Sequence, residues 1–305
     1  MGDDVKIGII GGGAVGLLFG AYYSSKYTVT IFSRTKEQSD VLNSKGIILT
    51  RQNNREICNV AARSHDEQIS EQNMVIVAVK QYDLDSILPI LLNTPKQCPL
   101  LFIQNGMGHL DFFEKLPHET IFVGTVEHGA KRETANEVNH TGIGVTNIAL
   151  YRGRQEVIDL FPIVDHTFFP IQFVDQVDEM LQAKLIANAV INPLTAVLSV
   201  KNGELIKNTY FFALFQKLHK EIISVLPNVD ERESFRKVEA ICTNTKENWS
   251  SMYKDINGGG KTEIDSILGY VLNLGEEQGR ILPLAKILYT MIKGLEQERG
   301  IKSDG

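Results

Sequence analysis

The run at the start of the chain limits the fold more than any other feature. Val5 to Ile10 is β-branched, apolar and glycine-bounded, and reads as a buried strand. Gly11-Gly12-Gly13-Ala14-Val15-Gly16 follows at once and fits G-x-G-x-x-G, with Gly11, Gly13 and Gly16 in the motif positions. Ala14 to Ser25 then reads as a helix. A bare glycine motif means little, but between a strand and a helix it predicts a dinucleotide-binding turn. Gly11 permits the tight turn, Gly13 leaves room for the pyrophosphate, and Gly16 lets the helix approach the sheet. The helix N-terminus then offers free N–H groups and a positive dipole end to the phosphates. A glycine turn that binds nothing is the plainer alternative, and the context argues against it.

The end of the second strand selects the cofactor. An NAD site usually places Asp or Glu about 20 residues past the glycines. Here the chain reads Ile31-Phe32-Ser33-Arg34-Thr35-Lys36, and no carboxylate precedes Glu37. Ser33 can bond a 2′-phosphate, Arg34 can pair with it bidentately, and Lys36 adds charge. These residues favour NADPH/NADP+, although Arg34 and Lys36 also read as an ordinary solvated turn.

The rest of the first half repeats the pattern. Thr28–Phe32, Met74–Val79 and Leu100–Ile103 read as strands, 120–126 and 142–149 as strand-like runs, and 47–60 as a small hairpin insertion. Strands alternating with helices predict a parallel sheet covered on both faces. From about Val177 helical periodicity takes over, at 179–199, 203–226, 231–249, 262–278 and 283–299. The expected architecture is α/β plus all-α, with a Rossmann-type domain at 1–175 and a helical domain at 176–305. A chain of 305 residues suits two such domains.

Charge and cysteine content exclude several functions. A net charge of −6 argues against a dedicated nucleic-acid or membrane binder. Cys58, Cys98 and Cys242 are scattered and predict neither disulfides nor a metal site. Met1-Gly2-Asp3-Asp4 is acidic where a signal peptide is positive, and Lys6 occupies the Ser/Thr position of a myristoylation signal. No apolar run approaches the roughly 20 residues that span a bilayer. The expected location is the cytoplasm.

Three clusters carry candidate chemistry. Lys184, Asn188 and Asn192 are spaced i, i+4, i+8 and drift only about 80° around a helix, so they share a face. Burying them among apolar neighbours is costly unless they are satisfied, and a solvent-facing stripe is the common alternative. Pro193 removes a helical hydrogen bond and predicts a kink. Ser251 and Glu263 lie in the second cluster, where Thr262-x-x-Asp265 resembles a capping box that would put Glu263 in a first helical turn. Both read equally as helix-end residues. The third cluster is Gln104-Asn105-Gly106-Met107-Gly108, which follows a strand at the sheet end where such folds bind ligands. Asn-Gly is also a common turn pair. Lys80 closes another strand, where a solubilising charge is the plain reading.

In order and spacing, GGGAVG, VAVK, QNGMG, VGTVEHGA, AKLIANAVINPLTA, SSMYKDI and KTEID resemble the ketopantoate reductase family over nearly the whole chain. The resemblance implies a C-terminal domain like that of 6-phosphogluconate dehydrogenase and NADPH-dependent reduction of a small 2-oxo acid, 2-dehydropantoate. It implies Lys184 as general acid, Asn188 and Asn192 holding substrate and lysine, and Ser251 at the substrate carboxylate. It places Glu263 against the lysine and substrate, Asn105 and Lys80 at the cofactor–substrate junction, and Arg34 at the 2′-phosphate. A paralogous reductase of another branched or aromatic 2-oxo acid and a non-catalytic NADP(H) sensor are the rival readings. No metal is implied, and a homodimer through an apolar face of the helical domain is compatible with the pattern.

Overall fold

A computed structural model describes residues 5–52, 54–64, 69, 71–164 and 167–300. Met1 to Asp4, read above for targeting, lie outside the described residues. Contacts divide the chain into one unit of Met1–Gln104 with Leu110–Met180, and another of Asn105–His109 with Leu181–Gly305. The short Asn105–His109 segment therefore belongs with the helices, an exchange that a single boundary near 175 does not anticipate.

The first unit begins β1 (Lys6–Ile10), α1 (Ala14–Tyr23), β2 (Thr28–Ser33), α2 (Lys36–Lys45), β3 (Ile47–Arg51), β4 (Asn54–Cys58) and β5 (Ala61–Ser64). It continues with β6 (Met74–Val77), α3 (Leu84–Leu92), β7 (Leu100–Phe102), β8 (Ile121–Val126), β9 (Gly129–Arg132), β10 (Glu137–Gly142), β11 (Thr146–Arg152) and β12 (Ile171–Phe173). The main sheet has the order β12-β11-β8-β7-β6-β1-β2-β5. Its strands from β5 to β8 are parallel, and β11 pairs antiparallel with β8. The strand order reverses beside β1, so the glycine turn at its carboxyl end sits at the switch point where such sheets bind ligands.

The 47–60 hairpin is present as β3–β4, and it is half of a second sheet. That sheet runs β4-β3-β10-β9, with β10 parallel to β3. Helix α1 contacts β1 and β2 on one side and β3, β9 and β10 on the other. This explains why AVGLLFGAYY is apolar all round rather than amphipathic: a helix covered on both sides needs no polar face. Leu17, Phe19 and Tyr23 of α1 are completely buried, together with Ile31, Ile47 and Val138.

The second unit is helical: α4 (Val177–Leu198), α5 (Glu204–Lys207), α6 (Thr209–Ile223), α7 (Glu231–Asn244), α8 (Ser251–Asn257), α9 (Tyr270–Glu277) and α10 (Pro283–Glu298). The helix expected over 203–226 is divided at Asn208, whose side chain accepts from the N–H groups of Tyr210 and Phe211 and starts a new helix. Helix α4 runs through Pro193. By length and composition α4 is apolar enough to cross a bilayer, contrary to the sequence reading, but 67% of its most apolar window is buried in the protein. Cys58, Cys98 and Cys242 are free and buried.

Candidate active site

The glycine turn after β1 is built by backbone. Gly11 has φ +114°, a conformation that other residues rarely adopt. A Cβ on Gly16 would lie 1.9 Å from the Gly11 carbonyl oxygen, so only glycine lets α1 start this close to the turn. A Cβ on Gly13 would meet nothing within 4 Å, so the outer face of the turn is open. Ala14 and Val15 open α1, whose N-terminus has no side-chain cap and no acid in its first turn. Its free N–H groups form a cradle suited to a phosphate.

Around this turn the structure redistributes the expected roles. Ser33 is completely buried, and its hydroxyl bonds the Thr35 carbonyl and Ser39 Oγ, both at 2.8 Å. Ser33 therefore braces the turn that follows β2. Lys36 Nζ is held by Asp40 at 2.8 Å, one helical turn on. Arg34 is exposed and, among the described residues, makes no ion pair. Lys80 is half-buried and extended between β6 and the turn Gln81–Asp83. Gln104, the first residue of the third cluster and given no role of its own there, braces that region. Its Nε2 donates to the carbonyls of Val77 and Val79, each at 2.9 Å.

In the helical unit, three expected residues meet. Asn105 Nδ2 donates to Glu263 Oε2 at 2.9 Å, and Asn188 Nδ2 donates to Asn105 Oδ1 at 3.3 Å. Glu263 is only 5% exposed. Each asparagine keeps a second N–H beyond these bonds. Lys184 lies one turn before Asn188 on α4 and is half-buried. Asn192 is buried, with Nδ2 3.5 Å from Ser251 Oγ, a long contact at the edge of hydrogen bonding. Gly106, at φ +84°, lets the Asn105 segment cross the backbone at Ser266, whose carbonyl oxygen would lie 2.1 Å from a Cβ there.

The supports of these residues are less legible in sequence. Ser250, not Ser251, caps α8: its Oγ accepts from the Tyr253 N–H at 3.2 Å and from Thr195 Oγ1 at 2.7 Å. That leaves the exposed residue Ser251 at the helix start without the capping role. Thr262 does begin a cap, accepting from the Ile264 N–H at 3.2 Å. The reciprocal carboxylate is not Asp265. It is buried Glu296 of α10, whose Oε1 accepts from both the N–H and the hydroxyl of Thr262 at 2.7 Å. Asp265 instead accepts from Tyr289 Oη at 2.7 Å and Lys293 Nζ at 3.1 Å. Burial, reinforced by that carboxylate, pushes the Tyr289 phenol up to about 12. Glu263 lies just ahead of a π-helical turn at Asp265–Gly269, not within an α-helical first turn. Such turns recur at functional sites. Among the described residues no cluster of His, Cys, Asp or Glu is suited to a metal ion.

Comparison with known proteins bears on this arrangement. Residues 7–153 match the family model described as ketopantoate reductase PanE/ApbA, and residues 176–296 match its C-terminal counterpart. The chain is 42% identical over 306 residues to the 2-dehydropantoate 2-reductase of Listeria monocytogenes, covering 99% of this chain and all of that one. It is 38% identical to the enzyme of the same name from Bacillus subtilis, covering 96% and 98%. A crystal structure of the probable 2-dehydropantoate 2-reductase panE from Bacillus subtilis aligns at a TM-score of 0.87 and 38% identity, over 96% of this chain and 100% of that one.

Proposed function

This chain belongs to the ketopantoate reductase PanE/ApbA family, and from that premise we propose that it reduces 2-dehydropantoate to (R)-pantoate with NADPH, in the cytoplasm, on the route to pantothenate and coenzyme A. The observation that carries the reading is the Asn188–Asn105–Glu263 chain of hydrogen bonds, with Lys184 one turn away on α4. A non-catalytic binder of dinucleotides has no use for a buried carboxylate held this way.

The residues fit the cofactor. The glycine turn and the uncapped α1 N-terminus suit a pyrophosphate, and exposed Arg34 suits a 2′-phosphate. When bound, the dinucleotide supplies the hydride to C2. The chain's own groups manage charge and position. Lys184, protonated, stabilises the oxyanion developing at C2 and gives it the proton. The spare N–H groups of Asn105 and Asn188 orient the oxo acid without adding charge. Ser251 Oγ meets the substrate carboxylate, and Asn192 holds that hydroxyl. Glu263 fixes Asn105 and completes the charge balance around Lys184.

A homodimer is part of this reading. Ile281, Ile287 and Met291 expose apolar surface before and along α10, a face suited to a second copy. Light scattering at micromolar concentration tests it, with a dimer mass expected and a monomer mass contradicting it. The activity is tested by following NADPH absorbance with a panel of 2-oxo acids. 2-Dehydropantoate is expected to give the highest kcat/KM. A higher value with another branched or aromatic 2-oxo acid would reassign the substrate.

A further inference from the structure

Helix α1's glycine turn is held from outside by two side chains that neither the motif nor the reaction accounts for. Gln38, in the first turn of α2, donates Nε2 to the Gly12 carbonyl at 2.8 Å and to the Ala135 carbonyl at 2.7 Å. Arg132, the last residue of β9, donates Nη1 to the same Gly12 oxygen at 3.2 Å. A Cβ on Gly12 would come within 2.6 Å of the Gln38 amide, so this glycine is needed for the brace. The second sheet is thereby fastened to the turn through both side chains.

Two consequences follow. A carbonyl that accepts two hydrogen bonds, one charged, polarises its peptide and strengthens the adjoining Gly13 N–H as a donor. Gly13 itself stands where an added Cβ would meet nothing within 4 Å. Further, a guanidinium has five N–H donors, and this one spends a single donor on Gly12. Arg132 is exposed, and among the described residues it makes no ion pair, whereas its neighbour Lys131 is paired with Glu133 at 2.8 Å. It is an unspent, forked cation anchored to the turn that suits the pyrophosphate.

We propose that Arg132 binds the pyrophosphate of the dinucleotide, with Gln38 as the residue that positions the turn beside it. The proposal rests on the dinucleotide reading above. It gives the chain a second arginine for the cofactor, separate in role from Arg34: Arg34 distinguishes NADPH from NADH, whereas Arg132 serves both.

The test is equilibrium binding of NADPH and of NADH to the full-length protein by titration calorimetry over a range of ionic strength. Arg132→Gln removes the charge and leaves only an amide donor on a shorter side chain, and Gln38→Ala removes the other brace without changing charge. Arg132→Gln is expected to weaken both dinucleotides by about tenfold or more, equally, and to flatten the salt dependence of the affinity. Arg132→Lys should restore the salt dependence with part of the affinity, and Gln38→Ala should weaken binding without altering that dependence. Unchanged affinity in Arg132→Gln overturns the proposal. So does a loss confined to NADPH, or a loss with the wild-type salt dependence, which would reduce Arg132 to a second brace. If the wild type binds neither dinucleotide, the reductase reading fails and takes this one with it. If the wild type binds and only the Arg132 results fail, the reductase reading stands.

Discussion

Asn105 and Glu263 are 158 residues apart in sequence and joined by a 2.9 Å hydrogen bond from amide to carboxylate. The carboxylate is buried, so this bond does more than decorate a surface. A hydrogen bond to a charged group contributes about 1.5–3 kcal/mol. Asn105→Ala should therefore lower kcat/KM by about 10- to 100-fold. Asn105→Asp should do worse, because it sets a second carboxylate against Glu263. Steady-state kinetics of the two variants check the order, and an Asp variant more active than the Ala variant would contradict it.

Lys184 is assigned the proton. A positioned general acid contributes about 10²–10⁴-fold. Lys184→Ala should lose that much kcat while binding NADPH as the wild type does. Rapid-quench or steady-state measurement of kcat, with a separate cofactor titration, decides the point. A wild-type rate would remove Lys184 from the mechanism.

Glu296 holds Thr262, the residue before Glu263, through two bonds to one oxygen, while its other oxygen lies 3.3 Å from Lys293 Nζ. Removing one member of a buried charged arrangement typically costs about 3–5 kcal/mol. Glu296→Ala should destabilise the helical unit by about that amount in urea unfolding. Glu296→Gln keeps an acceptor for Thr262 and should cost clearly less. Equal losses would mean that the charge opposite Lys293, and not the cap, is what matters.

Much of this was legible in the sequence, and the remainder was hidden for identifiable reasons. The glycine turn, the main parallel strands and the polar face of α4 follow from short-range pattern, because strand and helix periods are local properties. Asn105, Asn188 and Glu263 could be named, but their meeting depends on Gly106 crossing the Ser266 backbone, which no spacing encodes. The bonds of Ser33 to Thr35 and Ser39 were not legible, because a hydroxyl at a strand end serves a turn as readily as a ligand. The cap on Thr262 misled because Asp265 stands at nearly the right spacing while Glu296, 34 residues on, does the work. The second sheet was half-hidden, since β3–β4 reads as a lone hairpin until β10 pairs with it. The apolar face of α1 that this sheet covers is the one local hint.

Buried histidines give a pH dependence. Burial, with a smaller contribution from the Arg152 charge, pushes His118 down to about 4, and burial does the same to His109. In the unfolded chain both titrate near 6.5. Between these values the unfolded state binds more protons, so stability is complete above about pH 6.5 and declines as the pH falls toward 4. The unfolding midpoint should drop across that window, and His118→Leu should make the drop shallower. An identical slope in the variant would show that His118 is not a source of it.

The proposed transfer of hydride from NADPH to 2-dehydropantoate is tested by parallel steady-state assays with NADPH and NADH. Efficient oxidation of NADPH with 2-dehydropantoate is expected, with weaker use of NADH and loss of that preference in Arg34→Ala. Turnover of NADH with equal or higher kcat/KM, or no turnover of 2-dehydropantoate with either cofactor, would contradict it.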